Sequence, residues 1–143
     1  MNRARLDRAW IAAHLPHQGV MSLLDEICEW DATSVRALAR GHRAADHPLR
    51  RAGELPVACG IEYGAQAAAA HGALMSRQAS GAGFLASARS VVFHARRLDD
   101  VPGPLDVFAQ RMGGSDAGVM YRFEVTSAGR TLVEGRLTVA FAR

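Results

Sequence analysis

Residues 53–72 read GELPVACGIEYGAQAAAAHG, in which the small and apolar run from Leu55 onward is interrupted by one carboxylate, Glu62, with Gln66 one helical turn behind it. The segment 58–77 shows no alternation, and Ile61 is its lone β-branched residue. Its length and abundant alanine favour a helix over 58–77. Gly60, Gly64 and Gly72 weaken that helix locally, and the expected compensation is a sheet wrapped closely against a surface without side-chain bulk. The stretch is long enough to span a bilayer, but Glu62, Gln66 and His71 argue against a membrane span.

Outward from the helix, the pattern changes to strands. VMYRFEVTS (119–127) sets Val119, Tyr121, Phe123 and Val125 on one face and Arg122, Glu124 and Thr126 on the other. RTLVEGRLTVAFA (130–142) repeats the alternation with Val133, Leu137, Val139 and Phe141, and Ser127-Ala-Gly-Arg130 supplies a tight hairpin turn between the two. Residues 84–94 and 104–112 read as two earlier strands joined through Pro-Gly-Pro. Before the helix, 20–29 and 34–40 read as strands around an Asp-Ala-Thr turn, followed by an irregular loop, HRAADHPLRRAGELP. Two strands, one long helix and four strands fit an antiparallel sheet curled around a single helix, because parallel crossovers would require more helices.

The whole chain bounds the function. At 143 residues, 49% hydrophobic and 22% charged, it has the size and composition of one soluble α+β domain spanning 1–143. Its net charge of +3 rests on arginine with no lysine, scattered rather than in a stripe, so nucleic acid is not an expected partner. Cys28 and Cys59 make neither a disulfide framework nor a zinc pair, which fits a reducing compartment. MNRARLDRAW is not followed by a signal-type apolar run, and a cytoplasmic location is expected, with no membrane partner. Trp10 and Trp30 read as packing residues.

Three segments in order carry a family resemblance. LPHQGVMSLLDEI (15–27) resembles Leu-Pro-His-Arg-x-Pro-x-Leu-Leu-x-Asp, and LPVACGIEYGAQ (55–66) is similar to Pro-Gly-Val-Leu-x-x-Glu-Ala-x-Ala-Gln. GFLASARSVVFHARRLDDVPGPLDV (83–107) resembles a strand-turn-strand that carries an Arg and ends in Pro-Gly-Asp. Together they resemble the hotdog-fold 3-hydroxyacyl-acyl carrier protein dehydratases, nearest to the divergent subgroup of aryl polyene pigment clusters. The resemblance implies a hotdog fold and the removal of water from a 3-hydroxyacyl thioester presented by acyl carrier protein. It also implies a homodimer with active sites formed between subunits, a histidine from one and a glutamate from the other. A heterodimer with a paralogue stays open, and no cofactor or metal is implied.

Dehydration requires a base for the C2 proton, an acid for the departing hydroxyl and donors for the thioester oxygen. Glu62 matches the family acid, and burial in an apolar helix is expected to raise its pKa and keep a proton available; the plain alternative is a partly exposed glutamate at a helix N-terminus. The family base lies in Gly-His-Phe-Pro, wording absent here. His47 is the nearest equivalent, fifteen residues before Glu62, with a solvated loop histidine as its plain alternative, and His17 ranks second. His42 and Asp46 invite a metal reading, but no third ligand stands at a zinc spacing. Val57 occupies the place of the family's oxyanion amide, and Gln66 that of the residue that orients the acid. Leu85 and Arg89 are placed on the substrate side by the same resemblance; for Arg89 an ion pair within the sheet competes with a hold on an acidic carrier protein. Gly64, where the family has Met or Ala, would widen an acyl tunnel if it faced one. Two other classes stay open: a hotdog thioesterase, and a non-catalytic partner, for which the lost Gly-His-Phe-Pro is the best argument.

Overall fold

Asp7 opens the chain's first helix, α1 (Arg8–His14), by accepting the Trp10 N–H at 3.0 Å, and the apolar side of this helix seats Ile11 in the core. The computed structural model describes residues 5–17, 19–76, 83–115 and 118–141. The sequence reading missed α1. Residues 20–25, expected to begin the first strand, instead fall in a 3-10 turn (Gly19–Met21) and an irregular link. The strand itself, β1, is shorter (Glu26–Trp30), with a register shift between Ile27 and Glu29.

The remaining elements follow the expected order. β2 (Ser34–Ala39) is followed by the loop and by a 3-10 turn (Val57–Cys59) that runs into α2 (Gly60–Met75). Then come β3 (Gly83–Phe93), β4 (Leu105–Ser115), β5 (Gly118–Ser127) and β6 (Arg130–Phe141). Residue 77 of the expected helix and residue 142 of the expected last strand lie outside the described residues. The six strands form one antiparallel sheet in the order β1-β2-β4-β5-β6-β3, curled around α2: the α+β hotdog arrangement.

The sheet's inner face is the one the alternation indicates, with Tyr121, Phe123 and Val125 of β5 and Val133, Leu137 and Val139 of β6 all buried. The β5–β6 hairpin turns at Ala128 (φ 50°) and Gly129 (φ 79°), two successive positive φ values that match the right-handed twist of the strands. α2 lies close against this face. A Cβ on Gly60 would come within 2.4 Å of Val133 Cγ1, and one on Gly64 within 2.6 Å of the Phe123 ring. Gly64 therefore faces the sheet and widens no acyl tunnel. Two further core contacts are polar: His71 Nδ1 accepts from the Tyr121 hydroxyl at 2.8 Å and Nε2 donates to the Asp31 carbonyl at 3.0 Å, with His71 fully buried. Burial pushes the His71 pKa down. No helix among the described residues is long and apolar enough to cross a membrane.

Candidate functional site

The first turn of α2 is fixed from below by a short paired segment. Leu98 N–H donates to the Leu55 carbonyl (2.8 Å), Leu55 N–H to Asp99 Oδ1 (2.8 Å), and Val57 N–H to the Arg96 carbonyl (3.1 Å). Asp99 is almost fully buried and held chiefly by Arg97, whose Nε donates at 3.1 Å and whose Nη2 closes a second, short bond. The Arg97 hydrogen bonds hold the Asp99 carboxyl well below the usual carboxylate range. Arg97 and Arg96 also bind Glu54, at 3.0 and 2.8 Å, so the turn after β3 determines where α2 begins. The sequence reading gave Asp99 no role. The Val57 amide, expected to serve a thioester oxygen, is already committed to Arg96.

Glu62 extends from that first turn. Its side chain keeps about 30% exposure in the single chain, so it lacks the dry surroundings expected from the sequence; the buried positions of the helix are Gly60 and Tyr63 to His71. It lines an open cleft of about 410 Å³ with Met21, Leu49, Arg51, Pro56, Ala58, Cys59 and Ile61. Burial pushes the Cys59 thiol up, away from a reactive thiolate. Glu62 Oε1 stands 3.4 Å from His17 Nε2, and His17 Nδ1 is buried with no hydrogen-bond partner among the described residues.

His47 occupies different ground. It is buried, not a solvated loop histidine, and lines a second cavity of about 160 Å³ with Arg8, Ser22, Asp46 and Tyr63 among others. Leu49 N–H donates to Nδ1 at 3.1 Å and Nε2 stands 2.9 Å from the Tyr63 hydroxyl. Burial pushes the His47 pKa down, with Arg50 adding to the effect. Arg50 in turn ties the loop together by donating to the carbonyls of Ala44, Gly53 and Arg43 at 2.7–2.9 Å. Within one chain, then, Glu62 is brought to His17, and His47 to Tyr63.

Gln66 does not orient Glu62. It is fully buried, its Oε1 accepting from Leu23 N–H (2.9 Å) and its Nε2 donating to the Met21 carbonyl (2.8 Å), which pins 21–23 to the helix. Leu85 and Arg89 lie on β3, an edge strand remote in the sheet order from β1 and β2. Leu85 packs partly against the core, and the exposed Arg89 makes one long contact, 3.6 Å, to Met120 Sδ. His42, 1% exposed, stands 2.9 Å from the Val101 carbonyl, and no group of three or more His, Cys, Asp or Glu among the described residues could hold a metal. Tyr63 and Asp99 were missed for the same reason: the groups they position, His47 and the Leu55 N–H, lie 16 and 44 residues away, and no local spacing signals the contact.

No curated protein sequence matches the chain at a significant level. Among solved structures, a chain of the dehydratase heterocomplex ApeI:P from Xenorhabdus doucetiae is similar at a TM-score of 0.82 and 22% identity, covering 93% of this chain and 91% of that one. A mutant of the thioesterase PA1618 from Pseudomonas aeruginosa follows at 0.60 and 14%, covering 81% and 79%. Zebra fish thioesterase superfamily member 2 is similar at 0.65 and 12%, covering 94% of each chain. At these identities the likenesses establish the fold. The family is decided by sequence: the ApeP-like pattern, described as ApeP dehydratase, matches residues 9–142, and the chain belongs to the ApeP-like dehydratase family.

Proposed function

We propose that this chain dehydrates 3-hydroxyacyl thioesters carried on acyl carrier protein, giving trans-2-enoyl thioesters in fatty-acid-like or aryl polyene biosynthesis. The observation that carries the reading is Glu62, held on the first turn of α2 at the side of a largely apolar open cleft and within reach of a histidine. A base takes the C2 proton, the C2–H electron pair becomes the C2=C3 bond, and the C3 hydroxyl leaves as water with the proton that Glu62 supplies. The thioester oxygen is set against the amide of Ala58, which lines the cleft, since Val57 N–H is engaged elsewhere.

The active assembly is a pair of hotdog chains. β3 has β6 on one side and nothing on the other among the described residues, and Val92 and Phe93 on it are about half exposed. Such an edge is normally covered, and a second copy or a paralogue would cover it. The heterocomplex among its structural likenesses makes the paralogue a specific alternative, in which this chain needs its partner to turn over. The thioesterase likenesses support a second reading on the same fold, with Glu62 activating water. Incubating the protein, alone and with a hotdog paralogue, with 3-hydroxyacyl and enoyl carrier-protein thioesters separates the three by mass. Water loss supports dehydration, free acid supports hydrolysis, and activity only in the mixture supports a dependent partner.

A further inference from the structure

The alternation that buries one face of β5 and β6 leaves a second face, turned away from α2, on which charges are ordered by sign. Arg122 of β5 stands directly opposite Arg136 of β6, and two residues along both strands Glu124 stands opposite Glu134. Each pair sets like charges side by side, which destabilises a sheet left to itself. Crossed pairs, Arg122 with Glu134 and Arg136 with Glu124, would relieve both rows, and the chain forms neither. Arg122 lies over the Phe108 ring, 5.3 Å from its centroid, on the β4 side, whereas Glu134 turns to His94 Nε2 at 2.9 Å, just past the end of β3. The side chains of Glu124 and the exposed Arg136 have no hydrogen bond or ion pair among the described residues.

We infer that this face binds a second copy of the chain, sheet against sheet. One positive row and one negative row, parallel and about 7 Å apart along the strands, complement neither a wholly acidic nor a wholly basic surface. They complement themselves. A two-fold axis that runs along the rows, between them and midway between the two sheets, keeps each strand over its own copy and exchanges the rows. Arg122 then faces Glu124 of the second copy, Arg136 faces its Glu134, and the same two pairs recur in reverse, the reciprocity of an isologous contact. Stacked sheets stand about 10 Å apart, a gap that an arginine and a glutamate reaching from opposite sides can bridge. Arg122, Glu134 and Arg136 line a depression of about 360 Å³ that gives the incoming side chains room. The contact uses neither the free edge of β3 nor the Glu62 cleft, so it joins whatever pair forms at that edge into a larger assembly.

Sedimentation velocity tests the contact independently of any activity. Exposed ion pairs are individually weak, so the protein, with its paralogue if it is isolated only as that complex, is run at up to about 0.3 mM. Wild type is expected to reach twice the mass of Arg122→Glu/Arg136→Glu and twice that of Glu124→Arg/Glu134→Arg, whose faces each carry one sign. An equimolar mixture of the two variants is expected to regain the doubled mass, because an all-acidic face then meets an all-basic one. Raising the salt from about 0.05 to 0.5 M, which shortens the screening length roughly three-fold, is expected to return wild type to the lower mass. Wild type with the same mass as either variant, a mixture that stays at the lower mass, or a doubling that survives high salt overturns the inference. If a variant fails to fold by circular dichroism, the salt comparison on wild type decides alone.

Discussion

Gly64→Ala is expected to destabilise this protein, although the same change in an open helix stabilises by about 1 kcal/mol. A Cβ at Gly64 would lie 2.6 Å from Phe123 Cδ2, 2.7 Å from Cγ and 3.0 Å from Cβ. Relaxed carbon contacts are roughly 3.5–4.0 Å, so ring or helix must yield by about 1 Å. Phe123 is fully buried between Tyr121 and Val125 on the same strand face, both equally buried, and has little room to give. Overpacking a tight core costs typically ~1–3 kcal/mol, and two ring carbons and the Cβ of Phe123 struck at once argue for the upper half of that range. Subtracting the helix gain leaves a net loss of about 1–2 kcal/mol. For a domain of this size that lowers the thermal midpoint by roughly 3–8 °C. Circular dichroism melts and urea titrations on wild type, Gly64→Ala, Phe123→Leu and the double variant measure it. Shortening Phe123 makes room, so Gly64→Ala should cost less in that background. The packing argument is refuted by a Gly64→Ala protein as stable as wild type, or by two losses that add to within about 0.5 kcal/mol.

Glu62→Gln should keep the fold, being nearly isosteric and partly exposed, yet lose on the order of a hundred- to ten-thousand-fold in dehydration rate; a variant turning over at the wild-type rate ends the acid role. Gln66→Leu leaves the Leu23 N–H and the Met21 carbonyl without partners, and at ~1–3 kcal/mol for each orphaned group it should cost about 2–6 kcal/mol in urea denaturation, with faster amide exchange at Leu23. His71 has its folded-state pKa depressed by burial, so in mildly acidic solution the unfolded chain holds the extra proton. Stability is full above the unfolded value of about 6.5 and falls as pH drops below it. His71→Gln should flatten the pH dependence of the urea midpoint between about pH 7 and 5, and an unchanged slope would remove His71 from that account.

What the sequence determined by itself was periodic or local. Alternation in 119–127 and 130–141 identified the faces of β5 and β6, and a short turn that tolerates positive φ fixed their register at Ser127 and Arg130. Alanine content and length fixed α2, and its glycines announced the close sheet now seen at Gly60 and Gly64. The short α1 has its signal in Asp7, a side chain able to cap three residues ahead, with Ile11 and Leu15 one turn apart; at 7 residues it is too short for periodicity to mark it as a helix.

The rotation of α2 was decided elsewhere. Its residues are small or apolar nearly all round, with Ala65, Ala67, Ala68, Ala69 and Ala70 all buried, so no polar stripe in the sequence says which side meets the sheet. The two contacts that settle it, Gly60 on Val133 and Gly64 on Phe123, join residues some sixty to seventy positions apart. That rotation turns Glu62 outward into the cleft beside His17 and sends Gln66 inward to the 21–23 segment. Leu49 N–H and the Tyr63 hydroxyl engage His47 in the same way, through groups its own spacing to Glu62 does not specify. Spacing along a chain can propose which side chains meet, but the partner that claims each lone pair is chosen by packing.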